Sequence, residues 1–191
     1  MINSNYSIKL DKIIEPIYTA KQGEKLAIET INAYGDDFKD MEQLMGLIQG
    51  KYVDKHHHPL TGPIDVEGAE PGDVLKVKIR TIDIEIAAQA LSKSAGVSPI
   101  EVHRFGDRAP VIANYNSMKN QMKYMNGMFI DYKPMLGIIG TAPADGFIKT
   151  GHAANTGGNL DIPFITEGSV VFLPVEVAGG KLFVGDAHAA Q

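Results

Sequence analysis

The chain has 191 residues, 44% of them apolar, no cysteine, and a formal net charge of −5. Lack of cysteine excludes a disulfide framework, a thiolate nucleophile and a Cys-type zinc site; the acidic balance, with no basic stripe, excludes a nucleic-acid partner. No run approaches the roughly 20 apolar residues that span a bilayer, and the opening MINSNYSIKLDKIIEP has no apolar core of a signal peptide, so a cytoplasmic protein with no membrane partner is expected.

Ser7 to Ile14 reads as a strand that ends before Pro16. Lys21-Gln22-Gly23 is a turn, and Glu24 to Ile31 follows as a half-buried strand with Leu26, Ile28 and Thr30 on one face. The two strands are expected to open an antiparallel sheet. Within Asp36 to Gly50 the pattern changes: Met41, Leu44, Met45 and Ile48 fall at helical spacing. Asp40 caps this helix with Gln43 three residues on, and Gly50 ends it. Its methionines read as packing.

His56-His57-His58 is the densest imidazole cluster. Side chains alternate along extended chain, so only His56 and His58 can share a face; the rival reading is a solvated loop. Pro71-Gly72 marks a type II turn, and Glu67 and Glu70 read as solvated loop carboxylates. Apolar residues then alternate as Leu75, Val77, Ile79 and again as Ile82, Ile84, Ile86. The parity switch predicts a β-bulge or strand break at Arg80-Thr81. Ala87 to Pro110 reads as a long surface loop whose notable polar residues are His103 and Arg104.

Met118, Met122, Met125 and Phe129 fit a helix face, but Asn126-Gly127 is a type I′ turn signal, and a hairpin is expected there. Leu136, Ile138 and Ile139 mark a short buried strand, with Gly137 and Gly140 where backbone comes close. His152, in a glycine-rich loop, is a ligand or general base, or else a free loop histidine. Val170 to Val177 reads as a strand covered on both faces, and Ala178-Gly179-Gly180 turns it back into Lys181 to Val184. On that hairpin Asp161 precedes the first arm, and Asp186 and His188 follow the second. Asp186 and His188, two apart, are expected to point one way and to meet Asp161. Such an oxygen–nitrogen set suits zinc or another divalent ion; the alternative is a turn cap and a packed strand end.

Four blocks in order, TGPIDVEGAEPGDVLKVKI (Thr61 to Ile79), PMLGIIGTAPADG (Pro134 to Gly146), GGNLDIPFITEGSVVFLPVEV (Gly157 to Val177) and GDAHAAQ (Gly185 to Gln191), resemble the acetamidase/formamidase family. Gly157, Gly158, Asn159 and Asp161 match its GGN-x-D motif; Asp186, His188 and Gln191 match its GD-x-H-x-x-Q motif. The resemblance implies hydrolysis of a short amide such as formamide or acetamide, a mainly β fold of sandwich or jelly-roll type with added hairpins and one or two short helices, a divalent metal, and a homodimer. Family members continue past this glutamine with a Gly-Asp-Gly-Glu run. The expectation is therefore one β-rich domain over residues 1–191, truncated or one half of a split amidase, associating with a missing C-terminal portion.

The expected metal ligands are Asp161, Asp186 and His188, with His58 as a further candidate, although the family more often has Asn there. Zinc is the first choice, calcium or another divalent ion the second. Asn159 and the Gly157-Gly158 backbone are expected to donate to the developing oxyanion, with Gln191 at the rim. A non-catalytic metal- or ligand-binding β-domain is the competing reading.

Overall fold

The computed structural model describes residues 2, 6–33, 39–50, 58–84, 86–89, 111–124 and 127–190. His56, His57, His103, Arg104 and Gln191, singled out by sequence, lie outside them, as does most of the loop expected over residues 87–110. The strands are β1 (Tyr6–Ser7), β2 (Lys9–Asp11), β3 (Tyr18–Ala20), β4 (Leu60–Val66) and β5 (Val74–Lys78). Then come β6 (Ile86–Gln89), β7 (Val111–Asn116), β8 (Gln121–Tyr124), β9 (Phe129–Asp131) and β10 (Met135–Thr141). The last are β11 (Phe147–Lys149), β12 (Ala153–Ala154), β13 (Gly157–Asn159), β14 (Val170–Pro174) and β15 (Leu182–His188). Among the described residues one helix, α1 (Met41–Gly50), breaks this mainly β pattern. Asp40 Oδ1 accepts the Gln43 N–H at 2.9 Å, as the expected cap requires, while Gln43 Oε1 reaches the Lys39 N–H.

A seven-stranded sheet in the order β1-β4-β15-β10-β13-β12, with β3 parallel to β4, forms the centre. Ile64, Ile139, Leu182 and Val184 bury one face against Leu173 of the β5–β14 ribbon, with Leu75, Val77 and Val171 packed beside them. Leu60, Ile138 and Phe183 bury the other against Leu10 and Ile148 of the β2–β11 ribbon. Leu60 and Ile64 would share a face in a regular strand. The pairing of β4 with β15 slips by one residue between Ile64–Leu182 and Thr61–Val184, which sends them to opposite faces. A fourth unit, the antiparallel meander β6-β7-β8-β9, is tied to the sheet where the Lys133 N–H bonds the Ala189 carbonyl at 2.9 Å.

Several sequence expectations change here. The hairpin of 170–177 with 181–184 does not form: β14 pairs with β5, and β15 pairs with β10 and β4. The turn at Gly179-Gly180 is real, with φ of 78° and 72°, but it passes the chain from ribbon to central sheet. Nor is β14 covered on both faces, since Phe172 is 63% exposed. Glu24 to Ile31 keeps its alternating burial at Leu26, Ile28 and Thr30 yet among the described residues makes only one bridge, Ile28 with Ile2. Ser7 to Ile14 splits into β1 and β2, which serve different sheets. The break near Arg80 is present: β5 ends at Lys78, and Ile79 and Ile82 both enter the core. β8 and β9 pair antiparallel, Met122 with Ile130 and Lys123 with Phe129, as the expected hairpin requires, while Asn126 of its turn lies outside the described residues.

Candidate functional site

β10 is the spine of the site, because β15 lies along one edge and β13 along the other. Gly137 falls between the pairs Leu136–Ala187 and Ile138–Gly185, opposite Asp186. Its carbonyl accepts the N–H groups of Leu160 at 2.9 Å and Asp161 at 3.1 Å. The Leu136 N–H bonds the Ile165 carbonyl at 2.9 Å, which lays the loop after β13 along the start of β10. Asp161, from the loop after β13, and Asp186, from β15, thus approach from opposite sides over one glycine.

Both aspartates depart from extended chain, with φ of 47° at Asp161 and 50° at Asp186. Asp tolerates this left-handed region better than most residues. The expected convergence of Asp186 and His188 is therefore real, but it does not rest on simple strand alternation. His188 Nε2 lies 3.3 Å from Asp186 Oδ2 and 3.7 Å from Asp161 Oδ1. One ligand atom from each of Asp161, Asp186 and His188 falls within 4.8 Å of the others. His58 Nδ1 stands 3.4 Å from the other Asp186 oxygen, Oδ1, without an aligned hydrogen bond. The Asp186 carboxylate is held at both ends, one imidazole to each oxygen.

Asp186 is buried, while Asp161, His188 and His58 are half-open to solvent. Burial works against ionising Asp186, yet the two imidazoles beside its oxygens outweigh it and hold its carboxyl well below the ordinary range. The Asp186 carboxylate raises His58 above its usual value, against burial. Burial pushes Asp161 up, with a further push from Asp186; His188, His58 and the Asn159 amide oppose it.

Three buried polar atoms here have no hydrogen-bond partner: Asp161 Oδ1, His58 Nδ1 and Asn159 Oδ1. Leaving such a group unmade costs about 1–3 kcal/mol. A Cβ at position 137 would sit 2.8 Å from Asp161 Oδ1 and 2.9 Å from His188 Nε2, so the glycine keeps the space between the donors clear. Two carboxylates, an imidazole nitrogen, an unpartnered oxygen and a cleared space fit a divalent cation of the zinc type.

The GGN glycines have a packing reason. A Cβ on Gly157 would meet the Ile139 carbonyl at 2.4 Å, and one on Gly158 the His152 carbonyl at 2.4 Å. They let β13 run between β10 and β12, where both are buried. His152 contributes that carbonyl, which accepts the Asn159 N–H at 2.9 Å; its exposed side chain is not in the cluster. Glu67 and Glu70 are exposed, as expected of solvated loop residues. Sequence reasoning marked Gly137 as a close approach but missed it as the floor of the site. It also missed the His58–Asp186 pairing, which joins residues far apart in the chain.

The model of the acetamidase/formamidase family matches residues 9–154 and 147–191. The chain belongs to that family. Among solved acetamidase/formamidase structures, the acetamidase of Bacillus halodurans superposes with a TM-score of 0.85 and 30% identity over 100% of this chain and 62% of its own. The recombinant predicted acetamidase/formamidase of Thermoanaerobacter tengcongensis gives 0.83 and 32%, over 96% of this chain and 58% of its own. A candidate formamidase of Schizosaccharomyces pombe is 26% identical over 226 residues, 89% of this chain and 54% of its own. The chain thus spans a little over half the length of these acetamidase/formamidase relatives. Among the described residues no helix is long and apolar enough to cross a membrane.

Proposed function

We propose that this chain carries the divalent-metal site of an amidase that hydrolyses short amides such as formamide or acetamide. The observation that carries the reading is the meeting of Asp161, Asp186 and His188 ligand atoms within 4.8 Å over Gly137. Membership of the acetamidase/formamidase family supports the reaction type. Asp161, Asp186 and His188 would hold the cation, with zinc the first choice. A bound zinc ion supplies polarisation of a carbonyl oxygen and lowers the pKa of water to about 7.

The chain's own residues do the rest. Asp186, ionised and buried, is the fixed point of the site. His58 meets the Asp186 oxygen that His188 does not, and so orients that carboxylate. Gly137 keeps the reacting space free of side chain. In the net reaction water adds its oxygen to the amide carbon and the C–N bond breaks. The nitrogen leaves as ammonia, carrying the proton gained from water, and the acid ionises to carboxylate.

Ammonia release from formamide, acetamide and longer amides by the intact natural protein tests the activity. Metal analysis of Asp161→Ala, Asp186→Ala and His188→Ala tests the site. Loss of a second-order ligand costs about 10- to 100-fold in affinity or activity, and loss of a direct one should cost more. Stoichiometric metal surviving all three changes would put the centre elsewhere.

A further inference from the structure

We infer that the Asp186 carboxylate bridges two divalent cations: Oδ2 shares one with Asp161 and His188, and Oδ1 shares a second with His58 Nδ1. The inference rests on the metal reading of the site and extends it from one ion to two. His58 is not among the described side chains whose ligand atoms gather within 4.8 Å of one another, so it does not complete that cluster. It reaches Asp186 from the other side. β15 carries β10 along one edge and β4 along the other. Asp161 and His188 meet over Gly137 of β10. His58 stands two residues before Leu60, which opens β4 and pairs with Gly185. A Cβ on Gly185 would lie 2.8 Å from the Pro59 carbonyl, so this glycine lets the chain beside His58 close onto Asp186.

The two ends of the carboxylate have nearly the same spacing. His188 Nε2 lies 3.3 Å from Oδ2, and His58 Nδ1 lies 3.4 Å from Oδ1. Hydrogen bonds from N–H to oxygen are about 2.7–3.2 Å long. Ligand atoms held about 2.0–2.1 Å from a tetrahedral zinc-type ion stand about 3.3–3.4 Å apart. Both pairs match the second spacing, and His58 Nδ1 makes no hydrogen bond. The His58 and His188 side chains are 36% and 25% exposed, so water reaches both ends of the carboxylate to fill the remaining coordination positions. In the metal-free protein His58 orients Asp186; in the loaded protein it becomes a ligand itself. Two-metal sites of this kind serve aminopeptidases, which also break the C–N bond of an amide.

The test measures zinc in the intact natural protein by mass spectrometry, after stripping with chelator, reloading with zinc and desalting. Two ions per chain are expected. His58→Ala should hold one, and Asp186→Ala none. Should His58→Ala not fold, cobalt(II) decides on the unaltered protein. Two ions on one carboxylate couple magnetically, so the EPR intensity per cobalt should fall as the second equivalent binds. One ion per chain overturns the inference and leaves the single-cation site standing. So does a second ion that His58→Ala leaves in place, or a cobalt signal that grows in proportion through the second equivalent. No stoichiometric zinc in the unaltered protein overturns the metal reading and this inference with it.

Discussion

Gly137→Ala adds one methyl group at the centre of the site. Its Cβ would lie 2.8 Å from Asp161 Oδ1, 2.8 Å from the Asp186 carbonyl and 2.9 Å from His188 Nε2. Carbon and oxygen at van der Waals spacing stand near 3.5 Å, so each neighbour must retreat by roughly 0.6 Å. The Asp186 carbonyl belongs to β15, which is paired on both sides, and cannot retreat alone. The displacement falls on the Asp161 carboxylate and the His188 imidazole, which must separate. Misplacement of reacting groups by about 1 Å costs on the order of 10²-fold in rate. Overpacking adds about 1–3 kcal/mol of destabilisation, or several degrees in Tm for a chain of this size. Ammonia release, metal content by mass spectrometry and a thermal melt should be read on one preparation. The expected variant is folded, poor in metal and slower by roughly 10²-fold or more. A folded Gly137→Ala protein with full metal and a rate within about twofold of the unaltered protein would refute the placement of the centre over this glycine.

His58, raised by Asp186, contributes stability that is present below its unfolded value of about 6.5 and lost as pH rises through its higher folded value. The Tm of chelator-treated protein should therefore fall as pH rises above about 6.5, and His58→Gln should flatten that fall; identical slopes would count against the pair. The Tyr132 hydroxyl donates to the Ile82 carbonyl at 2.9 Å and accepts the Ile84 N–H at 3.0 Å. Tyr132→Phe should cost about 1–3 kcal/mol, read by denaturant unfolding, and no change in midpoint would show that water replaces the hydroxyl. Asp40→Ala removes the oxygen that caps α1 and should cost about 1 kcal/mol of stability. An unchanged midpoint in the same assay would mean that the cap contributes nothing.

The aspartates and the histidine were readable because Asp161, Asp186 and His188 sit in glycine-rich motifs beside apolar runs. Their meeting was expected too, but by a route the chain does not take. A tight turn at Gly179-Gly180 between two apolar runs looks locally like a hairpin. Each run instead finds a partner far away in sequence, Val170–Pro174 on Val74–Lys78 and Leu182–His188 on Met135–Thr141. Periodicity reports which residues turn inward, not which strand accepts the hydrogen bonds. Leu26, Ile28 and Thr30 show the same division: the alternation was right, and among the described residues a single bridge to Ile2 stands in place of a ladder.

Residue types and their local spacing determined the β-rich class, the capped helix, the break after Lys78 and the acidic and imidazole groups available for chemistry. These depend on propensity, capping and period, all of which act over a few neighbouring positions. Tertiary structure alone decided that Met135–Thr141 runs between the two motif strands, that Gly137 opens the space they share, and that His58 reaches Asp186. Those outcomes depend on strand order and register, which are chosen by burying two faces of one sheet at once and so have no short-range signature.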